Sequence, residues 1–271
     1  MINKNIPYNL IEPEKGKIPF VLSIPHCGMN FPYQLESRYI PGQIEKLDDT
    51  DFYLDKLYDF ASDLGITVIY AKFSRWVIDL NRDPHSQPLY HDGRIITELC
   101  PTKDFFGNPL YRKAEFNPDE NEKLKRLENY YFPYHRKIDD ILSDLKNEFG
   151  QVLFWDAHSI RREVKTIRSE PFPDFILGDN EGKAAGENFS KIVLENMEKS
   201  AWQITYNTPF KGGFLTRSKG NPAENIHALQ LEMSKDLYMT ENETTYDSGK
   251  SSKVKEQLIR IFKALIAELE R

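Results

Sequence analysis

Much of what this 271-residue chain can be is limited by what it has little of. It holds two cysteines, Cys27 and Cys100, too few for a disulfide framework, and that usage suits a reducing compartment. No stretch approaches the roughly 18 consecutive apolar residues of a membrane span. The N-terminal MINKNIPYNLIEPEKG lacks the apolar core of a secretory signal, so a cytoplasmic protein is expected. A basic excess is missing too. Against 42 acidic residues stand 36 Lys and Arg, a formal charge of −6, and neither half carries a basic stripe. Nucleic acid and membranes are therefore not expected partners. The short cluster Arg161, Arg162, Lys165 and Arg168 reads as a solvated loop. HExxH and CxxC spacings are absent, so the chain has no compact metal motif. Nothing in the sequence fixes an oligomeric state.

What is present is an alternation of short apolar runs and helical patterns with no Gly/Ser linker and no repeat. IPFVLSI at 18–24 reads as a strand ended by Pro25. Helical spacing runs from Asp51 to Leu64 and stops at Gly65, and ITVIYA at 66–71 is the next strand. The irregular stretch 83–117 is long enough to be a binding loop or lid. A long charged helix is expected over 119–148, kinked near Pro133 and ended by Gly150. Strands follow at 151–155, 174–178 and 203–206, with a helix at 185–199 between the last two. IHALQLEM from 226 fits a strand by alternation, although a helix over 223–239 also fits. The tail 250–270 is an amphipathic helix. The expected fold is a single α/β domain over residues 1–271, with a largely parallel or mixed central sheet flanked by helices.

Polar clusters then fall at the carboxyl ends of strands, where open α/β sheets place their ligands. They are SIPHCG at 23–28, DDTD at 48–51, SRWVIDLNR at 74–82, DAHS at 156–159 and LQLEM at 229–233. A histidine directly after an apolar run is costly to bury without a partner, and this happens at both His26 and His158. With one aspartate of the 49–51 pair, either Asp49 or Asp51, they make a three-ligand set for a divalent ion that leaves a position for water. Asp156 shares a strand face with His158 and can orient its ring. Glu232 is the free carboxylate that can serve as general base. Each residue alone also fits a plainer role: an N-cap for Asp51, a core histidine for His26 or His158, a surface glutamate for Glu232.

The clusters SIPHCG, DDTDFYLDKLYDF, SRWVIDLNRDP, DAHSIRR, FKGGFLTR and HALQLEMSKDLYM, in this order from about residue 20 to about residue 240, resemble those of the N-formylglutamate amidohydrolase family. The resemblance implies a fold similar to the zinc carboxypeptidases and acyl-amino-acid deacylases. It implies one zinc ion held by His26, Asp51 (the start of the family's helix signature) and His158, with Asp49 nearby and Glu232 as base. An Asn-Arg pair on the substrate α-carboxylate is implied at Asn81 and Arg82. A guanidinium suits that task through its bidentate fork. The second carboxylate of a glutamate substrate needs another cation, for which Arg161, Lys211 and Arg217 are candidates. Cys27 departs from the small residue more usual beside this histidine.

The activity so implied is hydrolysis of N-formyl-L-glutamate to formate and L-glutamate, the last step of one route of histidine degradation. A related zinc deacylase or carboxypeptidase acting on another acyl-amino acid or short peptide is the alternative. A metal-containing interaction protein without catalysis is the more distant one.

Overall fold

The computed structural model describes residues 6–14, 16–85 and 98–271, so the middle of the expected lid, 86–97, lies outside the described residues. Seven strands form one sheet: β1 Tyr8–Ile11, β2 Phe20–Ile24, β3 Thr67–Ala71, β4 Val152–Ile160, β5 Phe175–Gly178, β6 Ile204–Tyr206 and β7 Ile226–Ser234. Their spatial order is β1-β3-β2-β4-β7-β5-β6. The central four, β3, β2, β4 and β7, run parallel. Both flanks reverse direction, because β1 is antiparallel to β3 and β5 is antiparallel to β7. The sheet is thus mixed around a parallel centre.

The helices that matter are α1 Leu54–Leu57, α2 Glu120–Arg126, α3 Phe132–Phe149, α4 Glu187–Glu198, α5 Phe214–Lys219 and α6 Ser248–Leu269. Alternation along the strands assigns the two faces. Leu153, Trp155 and Ala157 of β4 and Leu229, Leu231 and Met233 of β7 pack with Val254, Leu258, Ile261 and Phe262 of α6 and with Phe189 and Val193 of α4. Val152, Phe154 and Ala228 face the other way, against Tyr134, Ile138, Ile141 and Leu142 of α3. On that second face β4 continues as Asp156 and His158, and β7 as Gln230 and Glu232. The same side of the sheet is apolar at one end and polar at the other.

Several sequence expectations change in detail. The helix expected from Asp51 shrinks to the single turn α1 and a 3-10 turn at Ser62–Leu64. Tyr53 sits in the left-handed region at φ 60°, and the Asp51 N–H is spent on the His26 carbonyl at 3.0 Å. The helix over 119–148 is two helices joined by a π-helical turn at Leu127–Tyr131. Pro133, at the second position of α3, has no N–H to give to the turn before it, so the interruption expected near Pro133 is present as the π-helical turn. Asp119 caps α2 by accepting from Glu122 N at 2.8 Å, and Gly150 ends α3 at φ 83°. β4 is nine residues long, so DAHS is inside the strand rather than after it. The 226–234 segment is strand, not helix. β1 was not expected at all. Among the described residues no helix is long and apolar enough to cross a membrane.

The buried His135 of α3 yields a stability prediction. Its Nε2 donates to the Leu80 carbonyl at 2.8 Å, and its ring stacks on Tyr131 at 4.0 Å between centroids. Burial, helped by Lys219, lowers its pKa to about 3. The folded protein therefore keeps it neutral where the unfolded chain takes up a proton near pH 6.5. Its stabilising contribution is complete above that pH and declines as pH falls toward 3, at up to about 1.4 kcal/mol per pH unit. Urea unfolding at pH 7.5 and 5.0 should show wild type losing about 1–2 kcal/mol more than His135→Gln. Parallel losses would remove His135 as an acid-labile site.

Candidate metal centre

The chain leaves β2 for β3 on one side, while β4 pairs with the other edge of β2. Divergence of this kind opens a crevice at the carboxyl ends of the two strands. His26 lies two residues past the end of β2, and His158 is near the end of β4. Glu232 is the direct register partner of His158 on β7. Asp51 reaches the same place from the loop before α1, tied by its backbone to His26.

Three ligand atoms converge there. His26, Asp51 and His158 are all buried, and one donor atom from each lies within 4.8 Å of the others. Asp51 Oδ2 stands 3.2 Å from His158 Nδ1 and 3.7 Å from His26 Nδ1. Ligands at the usual zinc distance on a tetrahedron are about 3.3 Å apart, so the spacing fits an ion of that kind. His26 Nδ1 is buried with no hydrogen-bond partner among the described residues. Such an atom is costly unless something binds it. His26 is fixed from its far nitrogen, as ligating imidazoles are: Nε2 is 2.7 Å from Asp79 Oδ1. At His158 the far nitrogen accepts from Asn81 Nδ2 at 2.9 Å, while Asp156 Oδ1 stands 3.1 Å away without a hydrogen bond. Four buried carboxyls, Asp51, Asp79, Asp156 and Glu232, gather here, while Arg75 and Arg82 both turn to Asp79, and this acidic surplus favours a cation. The His-Asp-His group can bind a metal.

The electrostatics of the surrounding groups differ sharply. Burial disfavours the charged form of Asp79, yet Arg75, Arg82 and His26 hold its carboxyl well below the usual range. Burial also lowers the His26 pKa to about 4, with Arg75 adding to the effect, so its imidazole is neutral and ready to ligate. At Glu232 burial dominates. It pushes the carboxyl to about 7, opposed by His158 and assisted by Asp51. A carboxyl poised near neutrality can both take and return a proton.

Other expected residues lie elsewhere or are engaged. Asp49 turns away from the histidines: it accepts from Trp76 Nε1 at 2.9 Å and from Phe105 N at 3.1 Å. Asn81 spends its amide within the protein, accepting from Leu215 N at 2.7 Å and donating to Asp156 Oδ2 at 3.3 Å. Gly213 lies against it so closely that a Cβ there would stand 2.3 Å from Asn81 Nδ2. Arg82 is partly exposed, with one guanidinium nitrogen 3.8 Å from Asp79. Arg161 is committed to Asp48 and Glu243, which removes it as a free anchor for a second carboxylate. Lys211 pairs with Glu181 at 2.6 Å, and Arg217 donates to the Gly212 carbonyl at 2.8 Å. Both lie within four residues of Gly213. Cys27 Sγ points to the Ile24 and Ala71 carbonyls, at 3.6 and 3.9 Å. Burial pushes its thiol well above the ordinary range, and it is not among the residues that converge with His26.

Sequence reasoning passed over Arg75, and with it the part that Asp79 plays beside His26. Arg75 is 6% exposed, bonds Asp79 Oδ2 at 2.5 Å and lies under the Phe105 ring at 4.8 Å. Burial works against its charge, but Asp79, Asp51 and Asp49 more than offset that. Their signal was available: an Arg and an Asp four residues apart in the otherwise apolar RWVID can be buried only as a pair.

Comparisons with known proteins give the chain a family. The model of the N-formylglutamate amidohydrolase family matches residues 18–239. N-formylglutamate deformylase of Pseudomonas putida is 36% identical over 262 residues, covering 93% of this chain and 94% of the relative. The N-formylglutamate deformylase of Pseudomonas aeruginosa is 37% identical, over 84% of this chain and 85% of its own. The crystal structure of N-formylglutamate amidohydrolase from Ralstonia eutropha JMP134 superposes with a TM-score of 0.79 at 26% identity, covering 96% of this chain and 97% of the other. An Agrobacterium tumefaciens protein, gene product Atu2144, shares the fold at 18% identity, over 98% of this chain and 96% of its own, with a TM-score of 0.75. This chain belongs to the N-formylglutamate amidohydrolase family.

Proposed function

We propose that this protein hydrolyses the amide of N-formyl-L-glutamate to formate and L-glutamate, with His26, Asp51 and His158 holding one zinc ion. The observation that carries this reading is Glu232 facing that three-residue group from the next strand, in a chain 36% identical to a deformylase of that substrate. The ion, when bound, lowers the pKa of a water and polarises the amide carbonyl. Glu232 accepts the proton from the attacking water at its carboxylate and returns it to the leaving nitrogen. Asp79 fixes the ring orientation of His26 and Asn81 that of His158, with Asp156 beside it. Arg82 anchors the α-carboxylate, with Asn81 packing the ligand face beside it. Lys211 and Arg217, on either side of Gly213, are the candidates for the side-chain carboxylate. A cytoplasmic setting and a role at the end of histidine degradation go with this proposal.

Two measurements test it. Glu232→Gln keeps the shape of the site and all three ligands, so its metal content should match wild type while kcat falls by about 10²–10⁴. Near-normal kcat would move the base elsewhere. A panel read by formate release should favour N-formyl-L-glutamate over N-formyl-L-glutamine, and both over an analogue with an amidated α-carboxylate. Loss of a desolvated ion pair costs roughly 2–5 kcal/mol, which makes each step at least tenfold in kcat/KM. Equal rates with free and amidated α-carboxylates would remove Arg82 from the site. Preferential release of acetate or succinate from other acyl-amino acids would keep the amide hydrolysis and replace the substrate.

A further inference from the structure

Of the three ligands, Asp51 has the least local support. His26 is tethered to the end of a strand and His158 is within one, whereas Asp51 lies in a loop ahead of the single turn of α1. A loop carboxylate samples several positions unless its backbone is fastened, and loose ligands cost affinity. The fastening comes from a segment that has no part in the chemistry: the turn immediately after β7, Lys235–Leu237 and the following Tyr238.

Lys235 is 2% exposed, and its Nζ donates to the Asp48 carbonyl at 3.0 Å. The ammonium also stands 5.6 Å from the centre of the Phe52 ring. Tyr238 is fully buried, and its hydroxyl donates to the Phe52 carbonyl at 3.0 Å. The same hydroxyl is 2.9 Å from Ser159 Oγ, the residue after His158. Asp51 is thus bracketed. The carbonyl three residues before it and the carbonyl one residue after it are both held from the exit of the strand that carries Glu232. A lysine buried to this degree is expensive, and one hydrogen bond to a neutral carbonyl does not obviously compensate. The nearby carboxylates, Asp51 first among them, do favour its charge.

We propose that Lys235 and Tyr238 are positioning residues that clamp the 48–52 loop and so set the metal affinity of the centre. This rests on His26, Asp51 and His158 being the ligands. The clamp also links that ligand loop to the exit of β7, so the ligand and the base keep their relative placement. Arg161 reinforces it from β4 by pairing with the Asp48 side chain.

The test is zinc affinity, measured by competition with a chromophoric chelator on metal-stripped full-length protein. Lys235→Met keeps most of the side-chain volume, and Tyr238→Phe removes a single hydroxyl. Lys235→Met should weaken zinc binding about 10–100-fold, the range seen when supports of ligating groups are removed. Tyr238→Phe should weaken it several-fold, with the thermal midpoint of its metal-free form close to wild type. Asp51→Ala serves as the reference and should lose zinc almost completely. If Asp51→Ala loses zinc while both clamp variants bind it like wild type, the clamp is overturned and the ligand set stands. If Asp51→Ala binds like wild type, the ligand set itself is wrong. Should Lys235→Met fail to fold, Tyr238→Phe decides alone: unchanged affinity overturns the clamp.

Discussion

Burying the Asp51 carboxylate between two imidazole nitrogens imposes most of the order seen in the crevice. With no cation present, a carboxylate 1% exposed would stand among Asp79, Asp156 and Glu232 with little water to screen them. Such a cluster survives folding only if charge is compensated locally. The protein supplies part of that compensation through Arg75 and through His158, whose pKa Asp156 and Asp51 raise against the effect of burial. On the proposed reading the remainder is a cation held at His26 Nδ1, for which the described residues offer no hydrogen-bond partner.

The surrounding residues divide the electrostatic work by strand and by layer. Next to Arg75 the carboxyl of Asp79 is kept ionised, so it holds His26 by a strong charge-assisted hydrogen bond. One strand beyond His158, Glu232 has no such guanidinium bonded to it, and burial raises its pKa to about 7. Two carboxyls in one crevice are thereby given opposite tasks by their neighbours, one permanently charged and one able to exchange a proton. Phe105 covers Arg75 from the solvent side and is itself pinned through its backbone N–H to Asp49. Asp49 therefore supports the wall of the site, although it binds neither histidine.

How much of this was legible in the sequence follows from what each signal measures. Periodicity, read mostly from short apolar runs, located β2, β3, β5, β6 and the first half of β4, and at β7 it allowed a strand beside a helix. It reached His158 only as a residue after a strand and left Glu232 on either a strand or a helix, which the backbone pairing decides. It misjudged the 51–64 helix, since the apolar spacing of Leu54, Leu57 and Ala61 is satisfied equally by a single turn and a 3-10 corner packed on the same core. The choice between Asp49 and Asp51 was out of reach locally. It depends on Trp76 and Phe105 claiming the first and His158 claiming the second, contacts that span 27 to 107 positions of sequence. Cationic candidates fared unevenly for a similar reason. Arg161 looks like an anion anchor in DAHSIRR, but Asp48 and Glu243 take it up. Arg75, hidden among Trp76, Val77 and Ile78, is the cation that reaches the centre.

The central claim is that one metal ion joins β2, β4 and the Asp51 loop through the Nδ1 atoms of both histidines. Crystals of zinc-reconstituted protein measured on both sides of the zinc absorption edge address it directly. The account predicts one strong anomalous peak per chain, about 2.0–2.2 Å from His26 Nδ1, His158 Nδ1 and an Asp51 oxygen. Glu232 should lie near it without ligating. A peak bound through the Nε2 atoms, one centred on Asp49, or no ordered peak in fully loaded protein would contradict it.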